Sequence, residues 1–125
     1  MSDDYAQTAE PAAAFVLGDN PGLSVDVDDE DNAAGHAILH SDSGTMVTFT
    51  VFNVGNAAGA CTVDIEVDGT VIKSWTSYEI PADQSESTSV KGLGRYAKGP
   101  HEFVAYVTPS AGHHDRLQNT VDVLD

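Results

Sequence analysis

Positive charge is scarce in this sequence. Five Lys and Arg residues stand against 20 Asp and Glu in 125 positions, a formal net charge of -15, and neither Lys nor Arg occurs before Lys73. Binding to nucleic acid requires a Lys/Arg surface that displaces counterions from phosphates, so nucleic acid is excluded as a partner. An anionic membrane surface is excluded on the same ground. Cysteine is limited to Cys61, so an intrachain disulfide is impossible; the residue sits on the apolar side of an alternating stretch and reads as a small buried hydrophobe. Long hydrophobic runs are missing too. The apolar run Ala12 to Leu17 is too short for a signal peptide or a membrane span, and Met1-Ser-Asp-Asp carries no basic n-region. Synthesis in the cytoplasm without a signal peptide is the expectation. No nucleophile elbow occurs, and the glycines of Lys91 to Gly99 lack the GxxxxGK[ST] order of a phosphate cradle. No catalytic residue is assigned, and the chain reads as a non-enzyme.

What is present is strand periodicity. From Met46 to Val54, Val47, Phe49 and Val51 share one side and Thr48, Thr50 and Phe52 the other, a composition that packs well on a pleated surface and suits a central strand. From Ala60 to Asp68, Cys61, Val63, Ile65 and Val67 alternate with Thr62, Asp64, Glu66 and Asp68, the period-2 pattern of a half-buried antiparallel strand. Between them Asn53, Gly55, Asn56 and Gly59 read as a wide turn using positive φ. Asp68-Gly69 has the chemistry of a two-residue hairpin returning through Thr70 to Tyr78, with Trp75 as an apolar anchor. Further strands are expected at Leu23 to Val27, His36 to His40, Glu86 to Val90, His101 to Val107 and Asn119 to Leu124. No helix-period run interrupts them. Seven or more short strands separated by turns indicate an all-β, two-sheet antiparallel sandwich.

The sandwich is expected over residues 23–125, preceded by an arm over residues 1–22. Met1 to Glu10 reads as mobile; the arm's apolar features are Tyr5 and the run containing Phe15, Val16 and Leu17. Such a run either adds an edge strand to its own sheet or covers a partner, which makes these four residues the candidate docking set. Asp26, Asp28, Asp29 and Asp31 place carboxylates at calcium-loop spacing, but Asp31 stands where an EF-hand loop needs Gly and no Glu occupies the twelfth position. A solvated acidic loop is the expectation, with loose calcium or magnesium binding as the alternative and no other cofactor. His113-His114-Asp115 is a lesser metal candidate, since neighbouring side chains on a strand point apart.

Val47 to Gly59, the Val67 to Gly69 turn, Ile80-Pro-Ala-Asp-Gln-Ser85, Gly99-Pro-His101 leading into Phe103 to Pro109, and Gln118 to Val123 together resemble the cell-adhesion-related domain called CARDB. The resemblance runs from about Leu23 to the C-terminus and implies an immunoglobulin-like fold and a non-enzymatic surface module. The family's Glu-x-Asn-Asn stretch before the last strand is replaced by His114-Asp-Arg-Leu-Gln-Asn119. The Asp-rich composition resembles that of extreme halophiles, whose salt screens self-repulsion, with an acidic mesophilic domain as the alternative. Two settings follow: a virion surface protein, either capsid decoration or tail module, of a virus of a halophilic host; or an adhesion or accessory domain of a cellular surface assembly. Both imply protein partners, including further copies of the chain.

Overall fold

The computed structural model describes residues 11–19, 22–28, 39–41 and 43–125. Among these residues the chain is all-β, with eight strands in two antiparallel four-stranded sheets. The strands are β1 (Phe15–Leu17), β2 (Ser24–Val27), β3 (Thr45–Asn53), β4 (Thr62–Val67), β5 (Thr70–Thr76), β6 (Ser85–Val90), β7 (Gly99–Thr108) and β8 (Arg116–Val123). In the first sheet β3 is central: β1 and β2 lie end to end along one edge and β6 along the other. The second sheet has the order β5-β4-β7-β8. The expected strand around Ile38, the arm before Pro11, and Asp29 and Asp31 lie outside the described residues.

The alternation that made β3 and β4 legible is the core. Val47, Phe49 and Val51 face Val63, Ile65, Phe103 and Ala105 between the sheets, all of them buried, and Cys61 is buried with them. The β4–β5 hairpin closes through Asp68 and Gly69 at φ 52° and 87°, the paired positive values of a type I′ turn whose twist matches the strands it joins. On β5 the register slips between Ile65 and Glu66, whose partners are Lys73 and Val71, leaving Ile72 as the extra residue of a bulge. Lys73 therefore shares the inner face with Ile65, and its Nζ donates to the Lys91 carbonyl at 2.7 Å. Trp75 meets Phe49 edge-to-face, with centroids 5.6 Å apart. It is an anchor at the sheet edge, as its size suggested. Val104 is buried on the opposite, outer face of the second sheet, between Glu66 and Gln118 on the neighbouring strands.

The segment Asn53 to Gly59 departs from the sequence reading. None of Asn53, Gly55, Asn56 and Gly59 has positive φ. Asn53 is instead a buried hydrogen-bond hub: its Nδ2 donates to the carbonyls of Ala57 and Ile80, both at 2.9 Å, and its Oδ1 accepts from the amides of Gly55 at 2.9 Å and Ala14 at 3.3 Å. Gly55 is required by close approach, since a Cβ there would lie 2.3 Å from the Ala12 carbonyl oxygen. Asn53→Ala leaves several buried groups unpaired and is expected to cost about 3 kcal/mol in urea unfolding at unchanged m. A loss below about 1 kcal/mol would show that the amide is not the staple described.

Candidate functional site

Strand directions sort the connections onto two ends of the sandwich. The Asp68-Gly69 turn, the 91–98 loop and the C-terminus share one end; the 54–61, 77–84 and 109–115 loops share the other. That second end gathers unburied apolar side chains. Phe52 and Val54, two apart on β3 and its continuation, point to the same outer side and are 41% and 50% exposed. Val16 is paired with Phe52, and the Val54 amide donates to the Ala14 carbonyl at 2.8 Å, so Ala14, Val16, Phe52 and Val54 form one outward patch. Beside it a shallow cleft of about 210 Å³ is lined by Val16, Leu17, Gly18, Asp19, Phe52 and His114. A Cβ on Gly18 would come within 2.8 Å of the Phe52 ring, so the glycine makes room for that ring. On the 77–84 loop Tyr78 is 87% exposed, and Val54 to Ala60 carry no charge in this strongly acidic chain.

Of the candidate docking residues, Phe15 and Leu17 are fully buried in the chain's own core, which corrects their assignment to a partner surface. Their backbone explains why. β1 pairs with β3 on one side, while on the other the Leu17 amide donates to the His114 carbonyl at 2.7 Å and the Ala111 amide to the Phe15 carbonyl at 3.0 Å. The strand seals the flank between the sheets, so the sandwich begins upstream of residue 23. Val16, of opposite parity, faces outward next to Phe52. Tyr5 lies outside the described residues. Phe52 and Val54 escaped the sequence reading because one apolar residue on each side of a central strand is compatible with burial on both faces.

The carboxylates that suggested a cation are engaged within the protein where they are described. Asp26 Oδ2 accepts from Ser24 Oγ at 3.0 Å, and Asp28 Oδ2 accepts from the Gly92 amide at 2.7 Å. No group of three or more His, Cys, Asp or Glu among the described residues is placed to hold a metal. His113 and His114 sit in the β7–β8 connection rather than on a strand; His114 has positive φ, and the two rings meet edge-to-face with centroids 5.3 Å apart. Cys61 is buried, and that burial pushes its thiol above its ordinary value despite a hydrogen bond with Ser77. No helix among the described residues is long and apolar enough to cross a membrane.

No family model matches the chain, and no curated protein matches it significantly. Among solved structures it is similar to the CARDB domain of a Pyrococcus furiosus protein, crystallised in complex with di-metal ions, at 13% identity and a TM-score of 0.65, covering 94% of this chain and 98% of that one. It is also similar to part of a β-glucosidase involved in saponin metabolism from intestinal bacteria, at 10% identity and a TM-score of 0.59, covering 93% of this chain but 17% of the enzyme. The chain has the fold of a CARDB domain, an immunoglobulin-like β-sandwich.

Proposed function

We propose that this chain is a non-enzymatic interaction module that joins a larger assembly through the outward patch at its loop end, and that the assembly is the surface of a virion, as capsid decoration or tail module, of a virus of a halophilic host. The observation that carries the reading is the exposure of Phe52 and Val54 side by side on an otherwise acidic protein. Contiguous exposed apolar surface beside polar surroundings marks protein contact, and the net charge of -15 suits a particle bathed in brine. A partner protein or a further copy of the chain covers the patch, and no cofactor is needed; loose calcium or magnesium at the Asp26 to Asp31 segment would be incidental. The likeness to a CARDB domain favours a second reading, an adhesion or accessory domain of a cellular surface assembly.

Phe52→Asp tests the proposal: the ring is 41% exposed and rests against Gly18, so the variant is expected to stay folded while its melting temperature falls by on the order of 5 °C. Particles purified from producing cells should contain the wild-type chain in fixed ratio to their main protein and lose the folded variant. A folded variant incorporated at the wild-type ratio would overturn the docking patch. Recovery of the chain with cell envelopes rather than virions would select the second reading.

A further inference from the structure

At the other end of the molecule, both ring nitrogens of His101 face acceptors. Nδ1 lies 2.6 Å from Asp68 Oδ2 on the β4–β5 turn, and Nε2 lies 2.7 Å from the Ala97 carbonyl oxygen in the β6–β7 loop. Neither a carboxylate nor a peptide carbonyl has a proton to give, so the ring that fits this position is the imidazolium, donating from both nitrogens. Tyr96 packs over it with ring centroids 5.3 Å apart, rests against Phe103 at 5.7 Å, and donates its hydroxyl to the Leu93 carbonyl at 2.5 Å. The hydrogen bond to Asp68, then that to Ala97, holds His101 above the ordinary imidazole value against the opposing effect of burial. Asp68 is held below the carboxylate range, first by the Glu102 amide and then by His101. Among the described residues the titratable groups against the ring are Asp68 from the hairpin and Tyr96 from the loop; β8 sets uncharged Val121 opposite it, and on its own strand Glu102 turns its N–H to Asp68 at 2.9 Å.

We propose that His101 is a proton-operated latch on the β6–β7 loop: as imidazolium it ties the loop to the hairpin, and as neutral imidazole it keeps its Nδ1 proton for Asp68 and lets go of Ala97. The carboxylate is the stronger acceptor, so it retains the remaining proton. Asp68 also stays fixed to β7 through its exchange of hydrogen bonds with Glu102, and the hairpin does not move. The Ala97 carbonyl then meets a lone pair. At the start of the loop the Lys91 carbonyl is held by Lys73, the Gly92 amide by Asp28 and the Leu93 amide by the Thr45 carbonyl at 3.1 Å; further on Tyr96 rests on Phe103 and the Lys98 side chain pairs with Asp125 at the surface, so what loosens is the backbone around Ala97. The raised His101 contributes stability that is complete below the ordinary imidazole value and lost as pH rises through the folded one; the depressed Asp68 contributes stability present above the ordinary carboxylate value and lost as pH falls through the folded one. The latch is thus fully shut between about pH 4 and 6.5.

NMR of the full chain over pH 4 to 9 tests this directly. In the wild type, His101 should titrate above the ordinary imidazole value and end as the Nδ1–H tautomer. The Lys98 amide, which reports the Ala97 carbonyl, should shift in step, and order parameters over Tyr96 to Lys98 should fall. Asp68→Asn should lower the midpoint toward the ordinary imidazole value, with the loop signals following it. His101→Gln should leave the loop mobile and indifferent to pH; persistence of the loop transition in that variant would assign it to another group and would overturn the latch. So would a neutral His101 carrying its proton on Nε2, or a loop that ignores its titration.

Discussion

Removing residues 1 to 18 is expected to abolish the cooperative unfolding transition or to lower the melting temperature by at least about 15 °C. The deletion takes Phe15 and Leu17 out of the core, where both are fully buried, and truncations of such residues cost about 3–5 and 2–5 kcal/mol respectively. It also strips hydrogen bonds on both sides of the segment, because β1 is bonded to β3 on one and to the Ala111 to His114 part of the β7–β8 connection on the other. Against a total stability of about 5–15 kcal/mol for a domain, that loss is of the same order as the whole. Circular dichroism melts of the full and truncated chains in molar potassium chloride measure it. A truncated chain melting within a few degrees of the full one would show that β1 is dispensable. Phe15→Ala alone should cost about 3–5 kcal/mol by the same measurement.

The second large effect concerns salt. With 20 acidic residues against five basic ones, like charges dominate the surface, and their repulsion reaches about 10 Å at 0.1 M salt but only about 3 Å at 1 M. Ion pairs such as Lys98 with Asp125 at 3.5 Å are exposed and contribute little that salt can remove. The melting temperature should therefore climb on the order of 10 °C from dilute buffer to molar salt, equally in sodium and potassium chloride, because the effect is screening rather than site binding. A flat or falling curve would remove the halophilic reading, and a rise reversed by chelation would point to a specific divalent cation.

How much of this was legible follows from what each residue sees. β3 and β4 could be read at full length because one face of each is dry, which writes the period of two into the sequence, and Asp68-Gly69 announced its own turn. β1 is too short to show a period, so the sequence could not choose between a strand and a docking plug. β8 was expected from Asn119 but begins at Arg116: Asn119 occupies an inward position, donating to the Leu23 carbonyl at 3.0 Å, and a polar residue there masks the alternation of Leu117, Val121 and Val123. The roles of Asn53 and Gly55 were misread for a similar reason. A glycine needed for close approach and a glycine needed for positive φ look identical in sequence, and only the passage of Ala12 over Gly55 separates them. His101 and Asp68 are 33 residues apart, and nothing local marks either as half of a pair. The outward patch was invisible because it depends on Val16 meeting Phe52 across two strands.

β5 has a consequence for life at high concentration. It is an outer strand with Val71 and Ile72 partly uncovered at 52% and 39% exposure, the kind of border along which neighbouring sheets merge into fibres. The extra residue at Ile72 breaks the regular spacing of free amides and carbonyls that an incoming strand would need. Lys73, turned to the inner side and moored to the Lys91 carbonyl, sets a cation where a zipper would have to close. Many copies can thus be crowded together and remain separate folded units.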